Sequence, residues 1–159
     1  MTAVGRDAKG GIAIGREVIT LSSSLVESYT RFKCPDFQRH PVAANATLSF
    51  VQGILDRLVE TRQVAEPDHA YFLVGCPSGW GPQVQEKYRK LLEQGGLRNV
   101  CVVPESRAAF LHARESNELS DVELAKRILL IDIGSSTTDF TFSEKLNARP
   151  VDFGQYCGG

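Results

Sequence analysis

Apolar residues follow two rhythms along this chain. Between Val42 and Val64, Leu48, Val51, Ile54/Leu55 and Leu58/Val59 recur every three or four positions, which predicts a long helix with one apolar face. Tyr71-Phe72-Leu73-Val74 is instead a short unbroken apolar run, the pattern of a strand buried on both faces. Ile128-Leu129-Leu130-Ile131 is the most apolar such run, and Asn99-Val100-Cys101-Val102-Val103 is another strand. Helical patterns fill the intervals, from Pro82 to Gln94 and from Glu105 to Arg114. The first of these stops at Gly95-Gly96, where glycine readily takes the left-handed conformation of a helix end. Nearer the start, Gly10-Gly11 turns into a short strand at Ile12-Ala13-Ile14, and Ser22-Ser23-Ser24 reads as a loop. Ser28 to Lys33 alternates aromatic with polar residues, as a half-exposed strand does. Glu115 to Glu123 reads as a mobile polar connector, and Thr138 to Phe142 as a last strand after a short turn. Strand, helix, strand, helix, strand, hairpin is the order of an α/β layer with the sheet at its centre.

Composition narrows the functional classes. The 159 residues are 42% hydrophobic and 23% charged, too apolar for disorder and enough to bury a core. Lys and Arg number 18 against 19 Asp and Glu, so the basic excess that grips nucleic acid or an anionic membrane is missing. No apolar run approaches the roughly 20 residues of a membrane span. The first residues, Met1 to Asp7, hold no signal-peptide core. The expectation is a soluble cytoplasmic protein with neither nucleic acid nor membrane as partner. Cys34, Cys76, Cys101 and Cys157 are scattered without a Cys-x-x-Cys pair, and His40, His69 and His112 stand apart. Reduced, mostly buried thiols are therefore expected, rather than a disulfide scaffold or a Cys/His metal site.

The strongest chemical signal is Leu130-Ile131-Asp132-Ile133-Gly134-Ser135-Ser136-Thr137-Thr138-Asp139-Phe140. A buried strand delivers a carboxylate at its C-terminal end, where ligands of open α/β sheets sit. Gly134 lets the backbone approach an anion, successive turn N–H groups can form an anion-binding concavity, and four hydroxyls add donors. Asp132 would repel a phosphate directly, but serves it through hydrated Mg2+, the hard cation that accompanies nucleotide phosphates. The plainer alternative is a hairpin with a polar turn and a solvated aspartate. No Gly-Lys-Ser/Thr occurs, so this is not a Walker A loop.

The segment from Asp132 to Asp139 resembles the second phosphate loop, Asp-hydrophobic-Gly-Gly-Gly-Thr-x-Asp, of the superfamily of actin, the sugar kinases and the heat-shock protein 70 (DnaK-type) chaperones. Resemblance to the chaperone ATPase domain continues in order along the chain. Gly15-Arg16-Glu17-Val18 and then Phe32-Lys33 are similar to a Gly-Asp-Ala-Ala segment and a later Phe-x-x-Lys strand. Tyr71 to Ser78 is similar to a strand ending Val-Pro-Ala, and Leu97 to Ala109 to a segment ending Asn-Glu-Pro-Thr-Ala-Ala. Gly158-Gly159 falls where that family has Leu-Gly-Gly-Glu.

The resemblance implies a partial actin-like ATPase (ribonuclease H-like) fold, an α/β architecture with a mixed sheet and flanking helices. Residues 1–66 would be the outer part of a first lobe and 67–115 the sheet and helices linking two lobes. A polar connector at 116–126 would lead to the start of a second lobe at 127–159. ATP or ADP and Mg2+ are the implied cofactors. Lys33 would contact the γ-phosphate or the attacking water, and Glu105 would position Mg2+-bound water. Asp132 and Asp139 would lie near the metal, with Gly134, Ser135, Ser136, Thr137 and Thr138 around the phosphates. Lys33, Glu105, Asp132 and Thr137 form the implied catalytic set. Each has an ordinary reading beside it: a solvated lysine, an acid at a helix N-terminus, a residue at a strand end. Ser135 and Ser136 depart from the family by adding side chains where its glycines bring backbone nearest to phosphate. An Asp-x-Gly-Thr first phosphate loop is not found before Gly15, and the adenosine-binding segment would lie beyond Gly159. The expectation is therefore a fragment covering less than half of the ATPase domain.

The implied function is a heat-shock-chaperone-like ATPase that binds Mg-ATP between two lobes, with a client or co-chaperone as partner. An actin-like or sugar-kinase-like ATPase is the alternative within the superfamily. Two readings lie outside it. Gly75-Cys76-Pro77-Ser78-Gly79 sits between a strand and a helix, the place of a hydrolase nucleophile using Cys76 or Ser78, although an elbow has Ser third and here it is fourth. A non-catalytic interaction module would instead dock a partner on the Val42–Val64 helix. Unpaired sheet edges in a fragment would favour self-association.

Overall fold

In the computed structural model, which describes residues 2–32, 37, 39–133, 138–144 and 147–150, the two rhythms resolve into short strands and helices. In chain order these are β1 (Val4–Asp7), β2 (Ile12–Ile14), α1 (Glu17–Thr20), β3 (Leu25–Tyr29), α2 (Pro41–Glu60), β4 (Tyr71–Cys76), α3 (Pro82–Gln94) and β5 (Asn99–Pro104). There follow α4 (Glu105–Glu115), α5 (Asp121–Leu124), β6 (Arg127–Ile133), β7 (Thr138–Glu144) and β8 (Asn147–Pro150). Hydrogen bonding among the described residues gives three small sheets, ordered β2-β1-β3, β4-β5 and β6-β7-β8, in place of one central sheet. The chain divides into two units, Met1–Phe72 with Glu86–Cys101, and Leu73–Gln85 with Val102–Gly159.

In the first unit, β1 pairs antiparallel with β2 and with β3, and α2 packs across this sheet. Its Ala43, Ala46, Thr47, Val51 and Leu55 are buried at the helical spacing that the sequence shows. Val4, Ile14, Phe32 and Ala46 form a core cluster with Tyr29, Phe50 and Ile54 against it. Phe32 meets Tyr29 edge-on at 5.2 Å between ring centres. The predicted strand at Ser28–Lys33 is therefore displaced: β3 ends at Tyr29, and Phe32 turns inward, because its ring completes the aromatic cluster.

Helix ends explain most other shifts. The helix predicted to Val64 stops at Glu60, since Arg62 takes a left-handed φ of 57° and the Gln63 N–H returns to the Leu58 carbonyl. Gly96 (φ 107°) closes α3 as expected, with the Leu97 N–H on the Leu92 carbonyl. Asn117 does the same for α4. The residues read as a polar connector then contain α5, whose Ser120 and Glu123 form a reciprocal capping box and whose Leu124 is fully buried. Strands β4 and β6 are not covered on both faces: Tyr71, Leu73, Leu129, Ile131 and Ile133 are exposed, Ile133 by 80%. Their composition signals a fully covered strand, but alternate residues project to a face with little packed on it.

At Gly53, α2 lies close against the sheet. A Cβ there would lie 2.9 Å from Ile14 Cγ2 and 3.3 Å from Ile12 Cγ2. Although leucine is the better helix former, Gly53→Leu is expected to lower the unfolding free energy by about 1–3 kcal/mol through overpacking. Urea denaturation measures this, and an unchanged or higher midpoint would remove the close-approach argument.

Candidate functional site

The site is built in the second unit by β6, β7 and the start of α4. β6 and β7 run antiparallel, with Leu130 opposite Thr141, Asp132 opposite Asp139 and Ile133 opposite Thr138. Along β6, Ile128, Leu130 and Asp132 share the half-buried face, and Leu129, Ile131 and Ile133 the exposed one. Helix α4 packs on β6 and β7. Strand β5 runs straight into α4, so Glu105 is its first residue, where unpaired N–H groups and the helix dipole favour a carboxylate.

These constraints bring one oxygen each of Glu105, Asp132 and Asp139 within 4.8 Å of one another, all three half-buried. Two unit charges at 4.8 Å repel by about 3.5 kcal/mol at an effective dielectric near 20. Like charges directly opposite on neighbouring strands are also unfavourable. The arrangement is thus a good seat for a cation. All its donors are carboxylate oxygens, the set that suits hard ions such as Mg2+, and among the described residues neither histidine nor cysteine joins the group to favour a softer metal. The donor chemistry fits the implied ion.

Of the residues singled out in the sequence, Glu105, Asp132 and Asp139 are brought together, and Thr138 opens β7 exposed to solvent. Lys33, Gly134, Ser135, Ser136 and Thr137 lie outside the described residues. Strand β4 adds a wall that the sequence reading assigned to another chemistry. Cys76, at its end, is fully buried. Burial first, then the charges of Glu105 and Asp139, push its thiol up to about 11. Ser78, in the turn that follows, is buried and donates to Ser106 Oγ at 2.6 Å. A hydrolase nucleophile needs exposure and a neighbouring base. Cys76 and Ser78 are both buried, burial and the carboxylates near Cys76 hold it in the thiol form, and no described histidine bonds to either, so the nucleophile reading fails. Gly75 sits against Glu105, and its signal was legible as a lone glycine inside an apolar strand, which marks a close approach.

Neither a protein-family model nor a curated protein matches the chain. Among solved structures it is similar to MreB 5 of Spiroplasma citri bound to AMPPNP, with 19% identity and a TM-score of 0.65. It is also similar to MreB5 of Spiroplasma citri bound to ADP, with 18% identity and a TM-score of 0.61. Each likeness covers 94% of this chain and 44% of the other. The fold is the actin-like ATPase fold, in part.

The chain thus spans less than half the length of these actin-like neighbours. Its expected fold class stands, while the neighbours do not single out the heat-shock chaperone branch. No described helix is long and apolar enough to cross a membrane. The thiols differ from expectation, since Cys101 is exposed while Cys76 is buried; Cys34 and Cys157 lie outside the described residues. At pH 8 only about one Cys76 in a thousand carries the thiolate, given its value of about 11. Native iodoacetamide labelling followed by peptide mass spectrometry should modify Cys101 at least tenfold faster than Cys76. Comparable rates at the two sites would contradict the closed wall beside Glu105.

Proposed function

We propose that this chain supplies the phosphate- and Mg2+-facing part of the nucleotide site of an actin-like ATPase. The observation that carries the reading is the meeting of Glu105, Asp132 and Asp139 where β6, β7 and α4 converge. Two further facts support it: the residues between β6 and β7 are one glycine and three hydroxyl residues, Gly134 to Thr137, and the similar structures are bound to AMPPNP and ADP. ATP or ADP is the proposed ligand.

Bound Mg2+ would neutralise phosphate charge and fix its orientation. The chain's own residues do the holding. Asp132 and Asp139 face each other across the ladder and would take the ion through its water shell, with Glu105 orienting that water from the helix start. Gly134, Ser135, Ser136, Thr137 and Thr138 would offer N–H and hydroxyl donors to phosphate oxygens, and Lys33 a point charge toward the γ-phosphate. Hydrolysis by the whole protein would then rest on positioning water in line with the phosphorus. The expected partition, a first lobe ending near residue 115 and a second beginning near 127, belongs to the same proposal, as does a cytoplasmic location.

The order of the chaperone-like segments, from Gly15 through Phe32-Lys33 and Tyr71–Ser78 to Asp139, favours a second, narrower reading. In it the ATPase cycle serves a client or co-chaperone protein, and faster ATP hydrolysis in the presence of an unfolded polypeptide would support that branch. Calorimetric titration of Mg-ATP and Mg-ADP tests the shared core. Asp132→Ala is expected to weaken both by at least tenfold, in line with the loss of a group that orients a bound metal. Equal affinities in the parent chain and the variant would overturn the assignment.

A further inference from the structure

We infer that Gly75 and the Ser78–Ser106 hydroxyl pair are positioning residues that set the Glu105 carboxylate in the metal cluster; this deepens, and rests on, the Mg2+ reading above. Glycine inside a strand weakens it, so its presence in β4 asks for a reason. Backbone freedom is not that reason, because Gly75 is absent from the left-handed glycines Gly10, Gly15 and Gly96. Space is. A Cβ at residue 75 would stand 2.9 Å from Glu105 Cγ, 3.3 Å from its Oε1 and 3.6 Å from its Cδ. The Glu105 side chain therefore lies along the bare backbone of β4, and any side chain at residue 75 would displace it.

The second support lies just beyond both residues, at Ser78 in the turn after β4 and at Ser106 next to Glu105. Helix α4 begins after Pro104, which offers no side-chain cap to the helix N–H groups. The first turn is tied down instead by Ser106, buried at its second position, which accepts from the equally buried Ser78 at 2.6 Å. This buried hydrogen bond ties the turn after β4 to the start of α4, since losing either partner costs the other its bond. Gly75 admits the Glu105 side chain and Ser78 fixes the backbone that carries it. The long glutamate is thereby limited to the conformations that reach Asp132 and Asp139.

Mn2+ titration of the full chain, followed by electron paramagnetic resonance of the free ion, tests this without nucleotide or turnover. Gly75→Ala and Ser78→Ala are each expected to weaken Mn2+ binding by roughly tenfold. Neither should weaken it further in a Glu105→Ala background, and Ser78→Thr, which keeps the hydroxyl, should bind as the parent does. Should Gly75→Ala fail to fold by circular dichroism, the Ser78 pair of variants decides. Equal losses with and without Glu105 would show a general effect on the fold and overturn the inference. So would parent-like binding by Gly75→Ala and Ser78→Ala where Glu105→Ala and Asp132→Ala bind weakly. If Glu105→Ala and Asp132→Ala themselves bind Mn2+ as the parent does, the metal reading falls first and takes this inference with it.

Discussion

The antiparallel register of β6 on β7 is the constraint on which the site depends. Asp132 and Asp139 stand directly opposite because seven consecutive residues pair across a short connection. A slip of one residue would turn one carboxylate to the exposed face with Ile131 and Ile133. The register also has a cost on the covered face, where the hydroxyls of Thr141 and Ser143 are buried with no partner among the described residues. Two facing aspartates and two orphaned hydroxyls make this ladder a poor choice for stability alone. The cation-holding role proposed above would account for the aspartates.

Helix α4 adds the third carboxylate by its point of origin. Because β5 ends at Pro104 and passes directly into the helix, the position of Glu105 follows from where the strand ends. The close packing of β4 beside it leaves room for no side chain at residue 75 and none for water around Cys76. Wall, helix start and ladder are thus three local structures whose meeting gives the cluster its chemistry. Elsewhere the same device recurs in another form: in the first unit, Gly53 lets α2 approach Ile12 and Ile14 closely.

Much of this was legible in the residues. The apolar stripe of α2, the glycine stop of α3 and the strand that carries Asp132 near its end are local patterns, and local patterns survive folding when nothing distant opposes them. Other features misled. Tyr71 and Leu73 read as doubly buried because composition counts apolar residues but not the elements available to cover them. Phe32 read as a strand residue because alternation cannot reveal a ring drawn into an aromatic cluster with Tyr29 and Phe50. Cys76 and Ser78 read as nucleophile candidates since spacing is blind to burial.

The chain's resemblance to the chaperone ATPase domain singled out the three acids, and the sequence by itself determined the α/β class and the bounds of the main helices to within about a turn. Those properties arise from side-chain periodicity, turn chemistry and residue type, all encoded over a few neighbouring positions. Only the tertiary structure decided that Glu105, distant in the chain from Asp132 and Asp139, shares their cluster, and that Gly75 and Ser78 border it. Such proximity comes from strand register and helix packing, which join residues through space and leave no trace in their order along the chain.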